Sequence, residues 1–378
     1  MRFLPTGEQS EFARTLRRLL GASDLPGAVR AWQAGDTGPG TAVWRKAADT
    51  GLFALPVPEA YDGLGPLPVE LALGFVELGR AGMPGPVVET AAVCVLLAAL
   101  DGADGGGGSG AGAGAGAASA GIAKRFLPAL VAGEARATLV LPGGGPYALD
   151  ADTADHRFTV SQDGELRLAA APGPRAVRVS TDPARRLAGL PSGGELLASG
   201  PSVLTAAATA LRWARLLTAA QCVGLGEALL ARTVEYAKQR TQFGTPIGGF
   251  QAVKHRLADV LLGLEFAKPV VWAGALALTG GAGPAGGAAA LPGRGPGAAL
   301  PGAARGEVPA VDDVAAAKLM AGEAAYTAAR AALQLHGAIG YTEELDLSLW
   351  LRKARPLRDA WGSPATCRAA LLPGSAGL

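Results

Sequence analysis

The sequence predicts a mainly α-helical protein in which a small β domain lies between two helical parts. Apolar residues repeat with a helical period from Thr205 to about Lys238 and again from Gln251 to Phe266. Convincing strand patterns occur only between residues 137 and 203. A chain of 378 residues is long enough for two or three domains with real cores. We therefore expect a helical domain over 1–136, a β middle domain over 137–203 and a helical bundle over 204–378.

The N-terminal domain is predicted to begin with a helix at the segment Thr6 to Glu11. Acidic residues come early in this segment, and arginines follow in the later turns. Residues 102–121 form a Gly/Ala/Ser-rich run without periodicity, which is typical of a flexible insertion. Helical character is expected to resume from about Lys124 to Val131.

The middle domain contains four short segments in which polar and apolar residues tend to alternate. Such alternation is typical of half-buried antiparallel strands. The predicted strands are 137–141, 157–160, 165–168 and 176–179.

The C-terminal part, residues 204–378, is predicted to form a bundle of helices. A run rich in Gly, Pro and Ala from 280 to 307 cannot continue a helix and is interpreted as an insertion. The last two predicted helices cover 311–334 and 345–358.

Composition and charge exclude several classes of function. The net charge of +2 favours neither nucleic acid nor a membrane surface as a partner. Three cysteines and three histidines are scattered without metal-ligand spacing, so no metal site is expected. The longest apolar run, 91–100, is too short to cross a bilayer, and the start lacks a signal-peptide core. These features predict a soluble, cytoplasmic protein.

The segment Arg240-Thr-Gln-Phe-Gly-Thr-Pro-Ile-Gly-Gly-Phe-Gln251 joins the two longest predicted helices. Its Gly and Pro residues stop one helix and let the chain turn, which leaves Arg240 at a helix end beside an exposed turn. A guanidinium in that place can hold a phosphate through two parallel hydrogen bonds, with Gln242 and Gln251 as further donors. A cation that merely favours a helix C-terminus explains Arg240 equally well.

This segment resembles the flavin-contacting signature of the acyl-CoA dehydrogenase family, Arg-x-x-Phe-Gly followed by a Gln on the next helix. A second segment, Gln334-Leu-His-Gly-Ala-Ile-Gly340, resembles the Gln-x-x-Gly-Gly-x-Gly loop of that family. The N-terminal stretches 44–59, 61–65 and 69–80 are also similar to family members. The resemblance spans nearly the whole chain, apart from the two low-complexity runs and a weak middle domain.

The resemblance implies FAD as cofactor and α,β-dehydrogenation of an acyl-CoA thioester as the reaction. Family members remove a proton next to the thioester carbonyl with a carboxylate base and pass a hydride to flavin N5. Electron-transfer flavoprotein is then the expected electron acceptor. Phe243 is expected to pack at the flavin junction, although packing in the core is an equally good interpretation. The residues matched to flavin contacts are Arg240, Gln242, Phe243, Gln251, Gln334, Gly337 and Ala338.

The two positions at which the family carries its base hold other residues in this chain. In most members the base is the Glu of a Tyr-Glu-Gly-Thr segment, over which the resemblance places Ala360-Trp361-Gly362-Ser363. A minority of members carry it one residue before an arginine of the long helix, which here is Ala214 before Arg215. An indole accepts no proton at neutral pH, and an alanine has no group that could. The sequence therefore predicts no catalytic residue at either position.

Substitutes for the base and the substrate contacts are correspondingly weak. Asp359 is the least implausible relocated base, and Arg215 is a weak candidate for a substrate contact. Arg212 replaces the acid usually found three residues before that arginine. The other carboxylates considered fit solvated or capping roles better: Glu227, Glu235, Glu343 and Glu344.

The middle domain also departs from the family. The segment from Thr138 to Pro146 lacks the Glu and the Ser-Asp pair of the family's strand-loop segment, and a counterpart of its Trp-x-Thr/Ser segment is missing. Poor placement of the flavin ring is expected to follow.

The chain keeps the segments matched to flavin contacts but lacks the usual base and the middle-domain motifs of the family. Three interpretations follow from this pattern. In the first, the chain is the base-less subunit of a heteromeric acyl-CoA dehydrogenase, a dimer of dimers with a paralogue that carries the full motifs. In the second, it is a self-sufficient homo-oligomeric enzyme with a relocated base. In the third, it is a scaffold of this fold without flavin, which a blocked turn after Arg240 would favour. The acyl chain length, and the choice between a steroid and a fatty acyl substrate, stay open.

Overall fold

The computed structural model describes residues 4–105, 115–171, 173, 176–178, 180–279 and 312–372, with the side chains of 102–105 and 115–120 left aside. Six helices make up the N-terminal domain. They are α1 Gly7–Gly21, α2 Leu25–Gln33, α3 Gly38–Ala48, α4 Pro68–Ala81, α5 Val87–Gly105 and α6 Ala115–Val131. The predicted start of α1 is confirmed, because the Thr6 hydroxyl accepts from the amide of Gln9 at 3.2 Å and the Gln9 side chain accepts from the Thr6 amide at 2.8 Å.

The predicted insertion over 102–121 is wrong at both flanks. Helix α5 extends to Gly105, and α6 begins at Ala115, well before the expected Lys124. Alanine is the strongest helix former, and its frequency here outweighs the interspersed glycines. Residues 106–114 of the predicted insertion lie outside the described residues, as does the predicted insertion over 280–307.

The middle domain holds a four-stranded sheet in the order β1-β3-β4-β6 and a separate two-stranded ribbon of β2 and β5. The strands are β1 Ala137–Val140, β2 Ala148–Leu149, β3 His156–Val160, β4 Glu165–Leu168, β5 Leu187–Ala188 and β6 Glu195–Ser199. The predicted strands at β1, β3 and β4 are confirmed, whereas β2, β5 and β6 were missed.

Two expectations for this domain are wrong. In the predicted strand at 176–179, the described residues form only an isolated bridge, from Arg178 to Leu187. The sheet is also not wholly antiparallel, because β1 pairs with β3 in parallel and only the β3–β4 and β4–β6 pairs are antiparallel. Between β1 and β3 the chain forms β2, which belongs to the separate ribbon. The chain then returns to the starting end of β1, so β3 runs parallel to β1.

The C-terminal part is a bundle built around α7. Its helices are α7 Pro201–Gln239, α8 Gln251–Thr279, α9 Asp313–His336, α10 Leu347–Asp359 and α11 Pro364–Leu371. A small hairpin of β7 Thr241–Gln242 and β8 Thr245–Pro246 joins α7 to α8. The predicted helices are confirmed within a few residues, except that α8 continues past Phe266 and through Pro269.

Helix α7 crosses α4 at close range, and this contact fixes the position of α7 in the bundle. Residues 216–226 of α7 are all buried. A Cβ at Gly224 would collide with the carbonyl oxygen of Val76, and one at Gly79 would collide with that of Gln221. Glycine at both positions is what lets the two backbones approach this closely.

Among the described helices, α7 and α8 are long and apolar enough to cross a membrane by length and composition. In α7, 78% of the apolar window is buried inside the protein, as in the core helix of a soluble protein, whereas the figure for α8 is 33%. Length and composition alone are weak evidence for a membrane span.

Candidate active site

The residues matched to flavin contacts lie at one end of the C-terminal bundle. Helices α7 and α9 both end there, since Tyr236 near the end of α7 stacks on His336 at the end of α9 with ring centroids 4.0 Å apart. Arg240 follows Tyr236 by one turn, and its amide donates to the Tyr236 carbonyl at 2.9 Å. Gln334 precedes His336 by two residues, and α8 begins at Gln251 after the hairpin. We call this surface the bundle end.

The hairpin at the bundle end has Phe243 and Gly244 at its tip, with φ angles of 53° and 77°. Two consecutive positive φ angles make the tight turn whose twist matches that of paired strands. The Ile247 amide closes the base of the hairpin by donating to the Arg240 carbonyl at 2.8 Å. The Phe243 side chain is 95% exposed, so the interpretation that it packs in the core is wrong.

The bundle end presents groups that suit an anion and the planar ring next to it. Arg240 is exposed, and its side chain makes no hydrogen bond or ion pair with any described residue. Gly337 has φ 67°, and a Cβ built on it would meet no described atom within 4 Å. Helix α8 adds the positive end of its dipole beside the hairpin. The charge and donors of these residues suit the phosphates of a dinucleotide, and in the turn after Arg240 a Cβ built on Gly244 would meet no described atom within 4 Å.

The other predicted position, Trp361, lies in the interior between the middle domain and the helices. Its side chain is 7% exposed, and its backbone has φ 59° directly after α10. The indole Nε1 donates to Oε1 of Glu89 on α5 at 3.2 Å. Arg215 Nε donates to the Trp361 carbonyl at 3.0 Å, which braces this loop against α7.

Glu89 is a functional candidate that the sequence reasoning missed. Its carboxyl is buried, and burial raises its pKa, while the charge of Arg185 opposes that rise. Glu89 is the single charged residue in the apolar run from Val87 to Leu100. A lone carboxylate in an otherwise apolar buried helix is the signal that could have found it.

The space around the Trp361 indole is filled. The loop after β1 packs directly on the ring, since a Cβ at Gly144 would lie 2.6 Å from the indole Cζ3. A cavity of about 20 Å³ remains beside Glu89, lined also by Gly85, Arg185, Gln221 and Lys353. That volume holds one water molecule and no acyl chain. This cavity is too small for a flavin ring or an acyl chain.

Comparison with known proteins identifies the family. Residues 6–104 match the family model "acyl-CoA dehydrogenase, N-terminal domain", and residues 204–291 and 298–370 match "acyl-CoA dehydrogenase, C-terminal domain". The acyl-CoA dehydrogenase IpdE2 of Mycobacterium tuberculosis is 32% identical over 369 residues, which is 95% of each chain. This chain belongs to the acyl-CoA dehydrogenase family. Its cofactor is accordingly FAD, and it is an oxidoreductase acting on the CH–CH bond of an acyl-CoA.

Several solved structures share the fold. Butyryl-CoA dehydrogenase from Megasphaera elsdenii superposes with a TM-score of 0.71 at 20% identity and covers 98% of each chain. The ChsE4–ChsE5 complex from Mycobacterium tuberculosis superposes with a TM-score of 0.69 at 20% identity and covers 97% of each chain. The predicted fold class, helical N- and C-terminal parts around a small sheet, is confirmed.

Within this acyl-CoA dehydrogenase fold, the carboxylates considered as substitutes for the base are exposed or engaged in ion pairs. Asp359 is exposed at the end of α10, and Ala214, which stands at the second usual base position, is buried in α7. Ion pairs hold three of the other carboxylates: Glu227 with Arg80 and Lys268, Glu235 with Lys238, and Glu343 with Arg352. The described residues contain no group of three or more His, Cys, Asp or Glu side chains that could hold a metal ion.

Proposed function

We propose that this chain is the base-less subunit of a heteromeric acyl-CoA dehydrogenase that oxidises an acyl-CoA thioester at its α,β bond. The observation that carries this proposal is the Trp361 side chain. It stands where the resemblance locates the base, it is buried, and its indole is hydrogen-bonded to Glu89. A partner subunit of the same family would then supply the base and the acyl pocket.

The bundle end supports the second half of the proposal. In the family each flavin is shared across a dimer, and the Arg-x-x-Phe and Gln-x-x-Gly-Gly segments contact the flavin held mainly by the neighbouring subunit. Arg240 would neutralise the pyrophosphate, with Gln242 and Gln251 as additional donors. Gln334, Gly337 and Ala338 would contact the adenosine side, and Phe243 would pack at the junction.

The chemistry assigned to this subunit is positioning and electrostatic. FAD, when bound, would supply the hydride acceptor. Arg240 and the start of α8 would hold the phosphates by charge and by donated hydrogen bonds. The ChsE4–ChsE5 complex gives a precedent in this fold for an assembly of two different chains. Electron-transfer flavoprotein as acceptor, a dimer-of-dimers assembly and a cytoplasmic location stay predictions.

A second candidate function is a self-sufficient enzyme with a relocated base, and Glu89 favours it more than Asp359 does. Glu89 is a carboxyl inside the site whose pKa is raised by burial, as expected of a general base that works near neutral pH. Against this, Oε1 of Glu89 already accepts a hydrogen bond from the Trp361 indole.

Co-expression with a family paralogue encoded nearby tests the proposal. We expect a stable mixed oligomer in which replacing the partner's base Glu by Gln abolishes acyl-CoA oxidation, while Glu89→Gln and Asp359→Asn in this chain leave kcat within about twofold. The purified chain alone should hold far less than one FAD per subunit. Stoichiometric FAD and turnover by the isolated chain, lost on Glu89→Gln, would favour the self-sufficient enzyme instead.

A further inference from the structure

We propose that Glu89 is a positioning residue that latches the Trp361 indole inside this chain's own pocket, and that the pocket is a built, indole-shaped binding site. We call the space between Glu89 and Gly144 that the indole fills the indole pocket. The inference rests on the proposed function in one respect, since both treat this pocket as closed to an acyl chain.

The backbone at Trp361 is held in a conformation that a bulky residue avoids. A φ of 59° lies in the left-handed region, where a tryptophan is a genuine outlier. Such strain persists only where the surroundings over-determine the conformation. Arg215 donates to the Trp361 carbonyl at 3.0 Å, and the buried Lys318 ammonium donates to the Gly362 carbonyl at 3.2 Å and the Arg358 carbonyl at 2.6 Å. Three carbonyls in five residues are thereby fixed around the strained position.

The side chains on either side of the ring are matched to it. Gly144 leaves room for the indole, because a Cβ there would lie 2.6 Å from the ring. Glu89 pairs with the indole N–H, because a buried indole N–H needs an acceptor and a buried carboxyl needs a donor. The 3.2 Å hydrogen bond between them gives the indole N–H an acceptor and Oε1 of Glu89 a donor. Strain, a glycine and a buried acid thus converge on one ring.

Two consequences follow if the pocket is built for an indole. Loss of the acceptor at Glu89 should loosen the ring without unfolding the chain. Removal of the ring by Trp361→Gly should leave a cavity that binds free indole, and the glycine adopts φ 59° without strain.

Acrylamide quenching of fluorescence tests the latch in the purified full chain. The Trp361 signal is isolated by subtracting the matched Trp361→Phe protein, because the chain has six tryptophans. Glu89→Gln keeps an acceptor oxygen, so its Trp361 quenching should equal that of the wild type. Glu89→Leu keeps the volume and removes the acceptor, so quenching should rise severalfold while the other tryptophans stay protected. Equal quenching in Glu89→Leu and the wild type would refute the latch.

Ligand binding to Trp361→Gly tests the pocket. Indole should bind and raise the thermal midpoint, and 1-methylindole, which lacks the N–H donor, should bind roughly tenfold more weakly. In Trp361→Gly/Glu89→Leu, indole and 1-methylindole should bind with about equal affinity. No indole binding, or a preference that persists without Glu89, would overturn the inference. Neither assay involves flavin or a partner subunit, so failure here leaves the mixed-oligomer test of the proposed function standing on its own.

Discussion

The bundle end and the indole pocket of this acyl-CoA dehydrogenase differ in how much of their polar chemistry is already used. At the bundle end, Arg240 is exposed and unpaired with any described residue, and Phe243 is 95% exposed. In the indole pocket, Trp361 and Glu89 are buried and hydrogen-bonded to each other, and the buried Lys318 next to it donates to the Gly362 carbonyl. The bundle end has polar groups available to another molecule, whereas Trp361 and Glu89 are already paired with each other.

This difference teaches that loss of a family motif need not mean loss of structure at the site. A decayed pocket would be expected to leave voids or unpaired buried groups, both of which cost stability. Here the cavity beside Glu89 has a volume of about 20 Å³, and the indole and the Glu89 carboxyl pair with each other, although the nearby Asp150 Oδ2 has no partner among the described residues. An indole paired inside the chain supports the proposal that a partner subunit supplies the base.

The largest expected effect comes from Asp150, a buried carboxyl near the pocket in the middle domain. Its Oδ1 accepts from Trp32 Nε1 at 3.1 Å, and its Oδ2 has no hydrogen-bond partner among the described residues. Burial, with the charge of Glu89 adding to it, raises the pKa of Asp150 to about 7. The folded state then binds a proton that the unfolded state has released, so this group's contribution to stability is complete below about pH 4 and is lost as the pH rises to about 7.

Relative to the wild type, Asp150→Asn should therefore be more stable at pH 8 than it is at pH 4.5. The gain in the free energy of unfolding over that interval is at most roughly 4 kcal/mol. Asparagine keeps the acceptor for Trp32 and tolerates the φ of 52° at this position. Urea unfolding of both proteins at the two pH values measures the effect. A variant that gains nothing at pH 8 would show that the carboxyl is solvated, and the contrast between a sealed and an open region would weaken.

The next effect sharpens the assignment of the open region. In the mixed oligomer, Arg240→Ala should weaken FAD binding roughly 30- to 150-fold, because charge-assisted hydrogen bonds to phosphate contribute about 2–3 kcal/mol. Arg240→Lys is the matched control, since it keeps the charge without the paired donors and should lose an intermediate amount. Equilibrium dialysis of FAD gives both numbers. Unchanged retention in the alanine variant would leave Arg240 as a helix-end cation only.

A smaller effect is expected where the middle domain meets Trp361. Gly144→Ala puts a methyl group against the indole and should lower the free energy of unfolding by about 1–3 kcal/mol. Gly189→Ala is the matched control, because no described atom lies within 4 Å of its added Cβ, and it should change stability by about 0.5 kcal/mol or less. In a Trp361→Gly background the cost of the alanine at 144 should disappear. A cost that survives there would place the strain elsewhere in the loop.

The sequence predicted the long elements well and the pocket poorly, for one physical reason. The period of apolar residues is local information, so α7, the start of α8 and β4 were predicted within a few residues. The partner of Trp361 is 272 positions away in α5, and spacing carries no information about such a contact. The two-residue strands β2 and β5 are likewise too short to show alternation, and the parallel pairing of β1 with β3 depends on the path of the connecting chain.

The smallest expected effect tests whether the open region is dispensable to this chain's own fold. Phe243→Asn creates an Asn-Gly pair at the hairpin tip, which suits the two positive φ angles better than Phe-Gly. Because the phenylalanine is 95% exposed, its loss removes almost no buried area, and the stability of the isolated chain should stay within about 0.5 kcal/mol of the wild type or rise slightly. Chemical unfolding of the isolated chain measures this. The same variant in the mixed oligomer should lower FAD retention, because the proposal buries the wild-type phenyl ring of Phe243 against the partner in that assembly. A chain destabilised on its own, with retention unchanged, would mean that Phe243 serves this fold and that the two regions are not as different as their exposure indicates.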